Sequence, residues 1–130
     1  MKPLIAIFAA VLALTTSTAS AADAPWSFEG VKSLWEKNRE SQEYRQYAGE
    51  FMQYVNYYHI DKKGDCYALA PGPVELFLVI AKSDDDKFAE VQHVLTSADN
   101  EKSRCFQKAY LGLRVRVPPF LPYPLQLEMK

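Results

Sequence analysis

The chain reads as an α+β domain, α-β-β-α-β in order, with a three-stranded antiparallel sheet packed on two helices. Three observations predict it. Apolar residues recur at helical spacing between Ser41 and Ile60 and again between Glu101 and Leu111. Two short runs rich in apolar and β-branched residues, Val74–Ile80 and Phe88–Leu95, flank an aspartate-rich turn. The last segment, Leu125–Met129, alternates apolar and polar residues strictly.

Ahead of these elements, Met1-Lys2-Pro3 leads into an apolar run from Leu4 to Leu14 and then the small residues Ala19-Ser20-Ala21-Ala22. A charged start, a short apolar stretch and an A-x-A-like site predict a secretory signal peptide over 1–21, cleaved after Ala21. The apolar run is shorter than the roughly 20 residues a membrane span requires, which disfavours an uncleaved anchor. Removing 21 of 130 residues leaves 109, the size of one domain. Lys2 leaves with the signal, so 14 basic residues face 16 acidic ones, a formal charge of −2. That balance argues against nucleic acid and against an anionic membrane surface. Export also sets the redox environment, and two cysteines allow one pairing, Cys66–Cys105. Closing that loop of roughly 40 residues is worth about 4 kcal/mol on the chain-entropy account.

Along 22–40 the pattern is that of a lead-in followed by a short helix. Ala22 to about Gly30 has no clear period and reads as mobile, with Trp26 and Trp35 available to pack it down and Ser33 as a helix cap. The main helix starts at Ser41 and carries Tyr44, Tyr47, Ala48, Phe51, Tyr54, Val55 and Tyr58 at steps of three and four. Lys62-Lys63-Gly64 ends it. After Pro71-Gly72-Pro73, Val74–Ile80 reads as a central strand; Ser83-Asp84-Asp85-Asp86 supplies turn chemistry and Phe88–Leu95 completes a hairpin. Ser97 or Asp99 caps the second helix, on which Cys105, Phe106, Ala109 and Tyr110 share a side while Lys102, Arg104 and Lys108 face water; Gly112 closes it. Pro122 and Pro124 lie two apart, so their missing N–H groups fall on one side. The last strand therefore belongs at a sheet edge, at least where it begins.

No residue set announces chemistry. His59 and His93 have no metal-ligand spacing with a cysteine or carboxylate, no serine sits in a nucleophile elbow, and no glycine-rich phosphate loop is present. Asp84-Asp85-Asp86 lacks the calcium-loop spacing and reads as a solvated turn. The expectation is a non-catalytic protein without a cofactor. The tyrosines Tyr44, Tyr47, Tyr54, Tyr57 and Tyr58 line a core but exceed what a small core needs, and tyrosine is enriched at binding surfaces. One of Tyr57 and Tyr58 must be exposed, since neighbours cannot share a helix face. Arg114 and Arg116 alternate with Val115 and Val117, forming a solvated face open to an acidic partner. Prolines blunt the last strand, so Phe88–Leu95 offers the better edge for strand addition, with Glu90, Val91, Gln92 and His93 on or near its open side. The partner-binding set is thus Tyr57, Tyr58, Glu90, Val91, Gln92, His93, Arg114 and Arg116. The competing reading is a small periplasmic ligand-binding protein or an unrecognised hydrolase, in which Glu75 or Glu90 faces a second ionisable group in a cleft.

The cysteine before the first strand, the stretch Cys105-Phe106-Gln107-Lys108-Ala109-Tyr110 and the turn Val117-Pro118-Pro119-Phe120 resemble the C-terminal domains of TonB and TolA. The resemblance covers Cys66–Lys130, with the Ser41–Ile60 helix as preceding element, and assigns 41–130 to such a domain. Here no proline/lysine-rich or alanine-rich spacer precedes the domain, so transmission of force across an envelope is not implied. The resemblance implies a stand-alone periplasmic module whose sheet binds an envelope or secreted protein. A toxin-neutralising immunity protein is one specific version.

Overall fold

The computed structural model describes Trp26–Lys130, and the expected signal peptide lies outside these residues. The elements in order are α1 (Phe28–Asn38), α2 (Gln42–Tyr58), an irregular 3-10 segment (Ile60–Ala68), β1 (Val74–Lys82), β2 (Ala89–Thr96), α3 (Glu101–Tyr110), β3 (Arg114–Val115) and β4 (Tyr123–Met129). The strands form one antiparallel sheet in the order β3-β2-β1-β4. Four strands stand where three were expected. The fourth, β3, is two residues long and leaves no periodicity to read. β4 occupies the sheet edge that its prolines require, and it begins at Tyr123, two residues earlier than the alternation indicated.

The run Leu76 to Ile80 in β1 is buried without a break. Successive side chains on a strand point to opposite faces, so an unbroken buried run needs cover on both. On one face Leu76, Leu78 and Ile80 join Tyr44, Tyr47, Phe51 and Val55 of α2 and Phe106 and Tyr110 of α3. On the other, Phe77 and Val79 pack against Val31 of α1, with Trp35 and Phe28 edge-on to Phe77 at 5.5 and 5.2 Å. Trp26 stacks on His93 with ring centroids 5.2 Å apart. The segment expected as a lead-in is therefore a structural layer, and the two-helix packing becomes helices on both faces. Its helix also starts earlier: Ser27, not Ser33, is the cap, its hydroxyl accepting from the Gly30 N–H at 3.0 Å.

Ser41 caps α2 as its sequence indicates, accepting from the Tyr44 N–H at 3.1 Å. At α3 the cap is Asn100, accepting from Ser103 at 2.8 Å. Ser97 instead accepts from the Glu75 N–H at 3.0 Å, and Asp99 pairs with Arg104 at 2.7 Å. Lys102, expected in water, is buried; its ammonium donates to the carbonyls of Gly72 and Lys130 at 2.7 and 3.1 Å. A buried ammonium with carbonyl acceptors avoids the cost of an unpartnered charge.

The predicted disulfide is present: Cys66 and Cys105 are bonded, with Cα atoms 5.4 Å apart. It joins the 3-10 segment to α3. His59, Gly64 and Asp65 take left-handed backbone angles that fold this segment back after α2. Gly64 also leaves room for the sulfur, because a β-carbon there would sit 3.2 Å from Cys105 Sγ. Replacing Cys105 by serine is expected to lower the unfolding free energy by about 4 kcal/mol, measured by denaturant titration under non-reducing conditions. A loss below about 1 kcal/mol contradicts the role given to this bond.

Candidate functional site

Helix α2 turns Tyr44, Tyr47, Phe51 and Val55 into the core, leaves Tyr54 half-buried on the flank, and exposes both Tyr57 and Tyr58, at 77% and 56%. The Tyr47 hydroxyl donates to the Arg116 carbonyl at 2.5 Å, tying the helix to the extended chain that follows β3. Arg116 returns across the gap: its guanidinium pairs with Glu50 and lies 5.6 Å from the centre of the Tyr47 ring. Between helix and chain lies an open hollow of about 230 Å³ lined by Tyr47, Glu50, Phe51, Tyr54, Val115 and Arg116. A second hollow of about 220 Å³ adjoins it at Tyr47 and Arg116 and extends past Val117 to Pro119. From Tyr54 an aromatic ladder continues to Tyr58 and Tyr57, each ring 4.8 Å from the next. The result is an aromatic groove along α2, crossed by one ion pair, beside the outermost strand of the sheet.

Of the residues singled out from the sequence, Arg116 lines this groove, and Tyr58 and Tyr57 continue its aromatic surface beyond Tyr54. Arg114 sits elsewhere, 5.8 Å from the Phe88 ring and opposite Glu90 in the β2–β3 register. Val91 is fully buried, and its backbone N–H and C=O are both engaged, by the Leu113 carbonyl and the Gly112 N–H at 2.9 and 2.8 Å. Gln92 reaches back to the Lys82 carbonyl at 2.8 Å, at the irregularity opposite Val79 and Ile80. His93 is behind the sheet against Trp26. Further along, the Gln107 amide donates to the Val94 carbonyl at 3.0 Å.

The outer side of β2, expected to be open, is thus closed along Ala89–Val91 and again at Val94. The physical reason is Gly112, whose φ of +83° turns the chain after α3 back along β2. Glu50, Phe51, Tyr54 and Val115 complete the groove and were not singled out together. The first three follow Tyr47 at helical spacing, but nothing local signals that Glu50 meets Arg116 from 66 residues away.

Glu75 accepts from the Gln126 amide at 3.1 Å and lies opposite Glu128 across β1 and β4. Among the described residues no group of three or more His, Cys, Asp or Glu side chains is placed to hold a metal, and no helix is long and apolar enough to cross a membrane. No family model, curated protein or solved structure matches this chain.

Burial dominates the tyrosine electrostatics. It pushes the Tyr44 hydroxyl up to about 12, against partial offsets from Trp35, Tyr123, the Gln126 backbone and Arg39. Burial raises Tyr47, Tyr110 and Tyr123 further still; at Tyr47 the Arg116 charge opposes the rise and Glu50 adds to it. An unfolded tyrosine releases its proton near pH 10 while these folded ones hold theirs. Stability from this source is complete below about pH 10 and lost as pH rises through about 12, at about 1.4 kcal/mol per pH unit for each such tyrosine. Tyrosinate absorbance is expected to show the buried set ionising together with alkaline unfolding. Ionisation of all eight tyrosines near pH 10 in a folded protein contradicts this burial.

Proposed function

We propose that this protein is a non-catalytic, exported interaction module, working in the periplasm, that receives an extended segment of an envelope or secreted protein along the α2 groove. The observation that carries the reading is the groove itself: half-buried Tyr54 and exposed Tyr57 and Tyr58 present aromatic surface along α2, next to a hollow floored by the buried Tyr47, Phe51 and Val115 beside the sheet's outermost strand. Tyrosines offer broad contact area with little side-chain entropy to lose, and they anchor many interfaces. Tyr57 and Tyr58 extend that surface, and Arg116 supplies a charged contact at its middle. Extended segments dock beside terminal strands through backbone pairing and side-chain pockets.

The order of α2, β1, β2, α3 and β4 accords with the resemblance of 41–130 to the C-terminal domains of TonB and TolA, and that resemblance favours the same class of activity. The disulfide accords with an oxidising compartment. The non-catalytic part of the reading rests on open hollows and on acids, Glu75 and Glu90, that lie on sheet positions away from the groove. A toxin-neutralising inhibitor is one specific form of this activity.

Affinity capture of periplasmic proteins on the oxidised protein tests it. A repeatable partner is expected, with binding weakened about thirtyfold by Tyr58→Ala and also reduced by Arg116→Glu, as for truncation of an aromatic anchor or reversal of a contact charge. Arg116 and Glu50 form an exposed pair, so that substitution leaves folding largely intact. Binding that ignores both changes places the interface elsewhere. Capture of no protein, with a tight small ligand in native mass spectrometry, favours the ligand-binding alternative.

A further inference from the structure

A second cleft, of about 230 Å³, opens on the far side of α2, below the free edge of β4. Val55, Met52, Leu127 and Met129 give it apolar walls, Asp61, Tyr67 and Tyr110 give it polar ones, and Gln126 and Glu128 meet it along the free edge of β4. Tyr110 is fully buried at this cleft, and its hydroxyl oxygen has no hydrogen-bond partner. Such an orphan is unusual, because a buried polar atom left unpaired costs about 1–3 kcal/mol. Its neighbours are acidic or phenolic: Asp61 and then Tyr67 add to burial in pushing the Tyr110 hydroxyl up. Tyr67 holds itself there loosely, its hydroxyl 3.3 Å from the Asp61 carboxylate and 3.4 Å from the Met129 sulfur.

Asp61, the carboxylate near Tyr110 and Tyr67, is not paired with a cation among the described residues. Lys102, the buried lysine near this end of the sheet, is already held by two backbone carbonyls.

We propose that this cleft binds a primary alkylammonium group. The ammonium sits beside Asp61, the Tyr110 hydroxyl accepts one of its N–H bonds, and the aliphatic stem lies between Met52, Val55 and Met129. Tyr67 shifts to cover the charge with its ring, which attracts cations over its face. The chemistry is shared by a free aliphatic diamine and by a lysine side chain of another protein. The site uses neither the groove nor Arg116, so it stands or falls independently of the function proposed above.

Calorimetric titration of the oxidised protein with pentane-1,5-diamine, with Nα-acetyl-lysine methylamide and with pentan-1-ol tests the assignment. Saturable binding of an amine is expected, without binding of the alcohol. Diamine binding alone identifies a free amine as the ligand, and comparable binding of the lysine amide identifies a protein lysine. Asp61→Asn and Tyr110→Phe are each expected to weaken the amine by about tenfold. Tyr110→Phe should leave the thermal midpoint unchanged or higher, since it removes an unpartnered hydroxyl. The proposal is overturned if no amine saturates at millimolar concentration, if the alcohol binds as well, or if both variants bind amine like the parent. It is also overturned if Tyr110→Phe lowers stability while amine affinity holds, the signature of a hydroxyl satisfied by a bound water.

Discussion

Burial of β1 on both faces sets what the remaining elements have to do. Five consecutive apolar side chains, Leu76 to Ile80, are removed from water. At about 2 kcal/mol each, that is on the order of 10 kcal/mol of driving force. A sheet with one wet face would forfeit the share belonging to Phe77 and Val79. The chain avoids this by placing α2 and α3 on one face and α1, with both tryptophans, on the other. The neighbours of β1 follow from the same constraint. β2 and β4 flank it, and the shorter or proline-bearing strands are left at the edges.

With the sheet covered on both faces, the surfaces left for recognition are its margins, and each margin is finished differently. On the β2 side the chain after Gly112 lies along the strand, adds β3, and then runs beside α2, pinned by the Tyr47 hydroxyl and the Glu50–Arg116 pair. That path creates the aromatic groove. On the β4 side Pro124 sits within the strand, the hydroxyl of Tyr123 reaches the Tyr44 carbonyl at 2.7 Å, and the 3-10 segment brings Asp61 and Tyr67 alongside Met129. The disulfide holds that segment against α3, whose Tyr110 forms part of the second cleft. Both candidate sites therefore depend on α2: one flank of the helix faces each margin.

Much of this architecture is legible in the residues. The tyrosine spacing of α2, the unbroken apolar run of β1, the aspartate turn and the alternation of β4 each carry a local signal, and the structure has an element at every one. The cysteine pairing was legible because only one pairing exists. What escaped was non-local. Phe28, Val31 and Trp35 fall at steps of three and four, and the short helix was legible, but its seat on the second face of the sheet was not, although the apolar run Leu76–Ile80 already implies that something covers that face. β3 consists of Arg114 and Val115 and has no period at all, so the closing of the β2 edge could not be read. Lys102 looks like a surface lysine until Gly72 and Lys130 meet around it. The candidate groove was half legible: Tyr57, Tyr58 and Arg116 stood out by type and exposure, whereas their connection through Tyr54 and Glu50 is a product of tertiary packing.

The central claim is that α1 is an integral layer over the second face of the sheet and not an appended lead-in. Trp26 and Trp35 are the protein's two tryptophans and both lie in that layer, so their fluorescence reports on its packing against the rest of the fold. Far-ultraviolet circular dichroism reports on the sheet and all helices. Followed together through a denaturant titration of the oxidised protein, the two signals should trace one coincident transition, as a single cooperative unit requires. Fluorescence that changes at distinctly lower denaturant than the circular dichroism would show that α1 detaches while the rest stays folded, and would contradict the account.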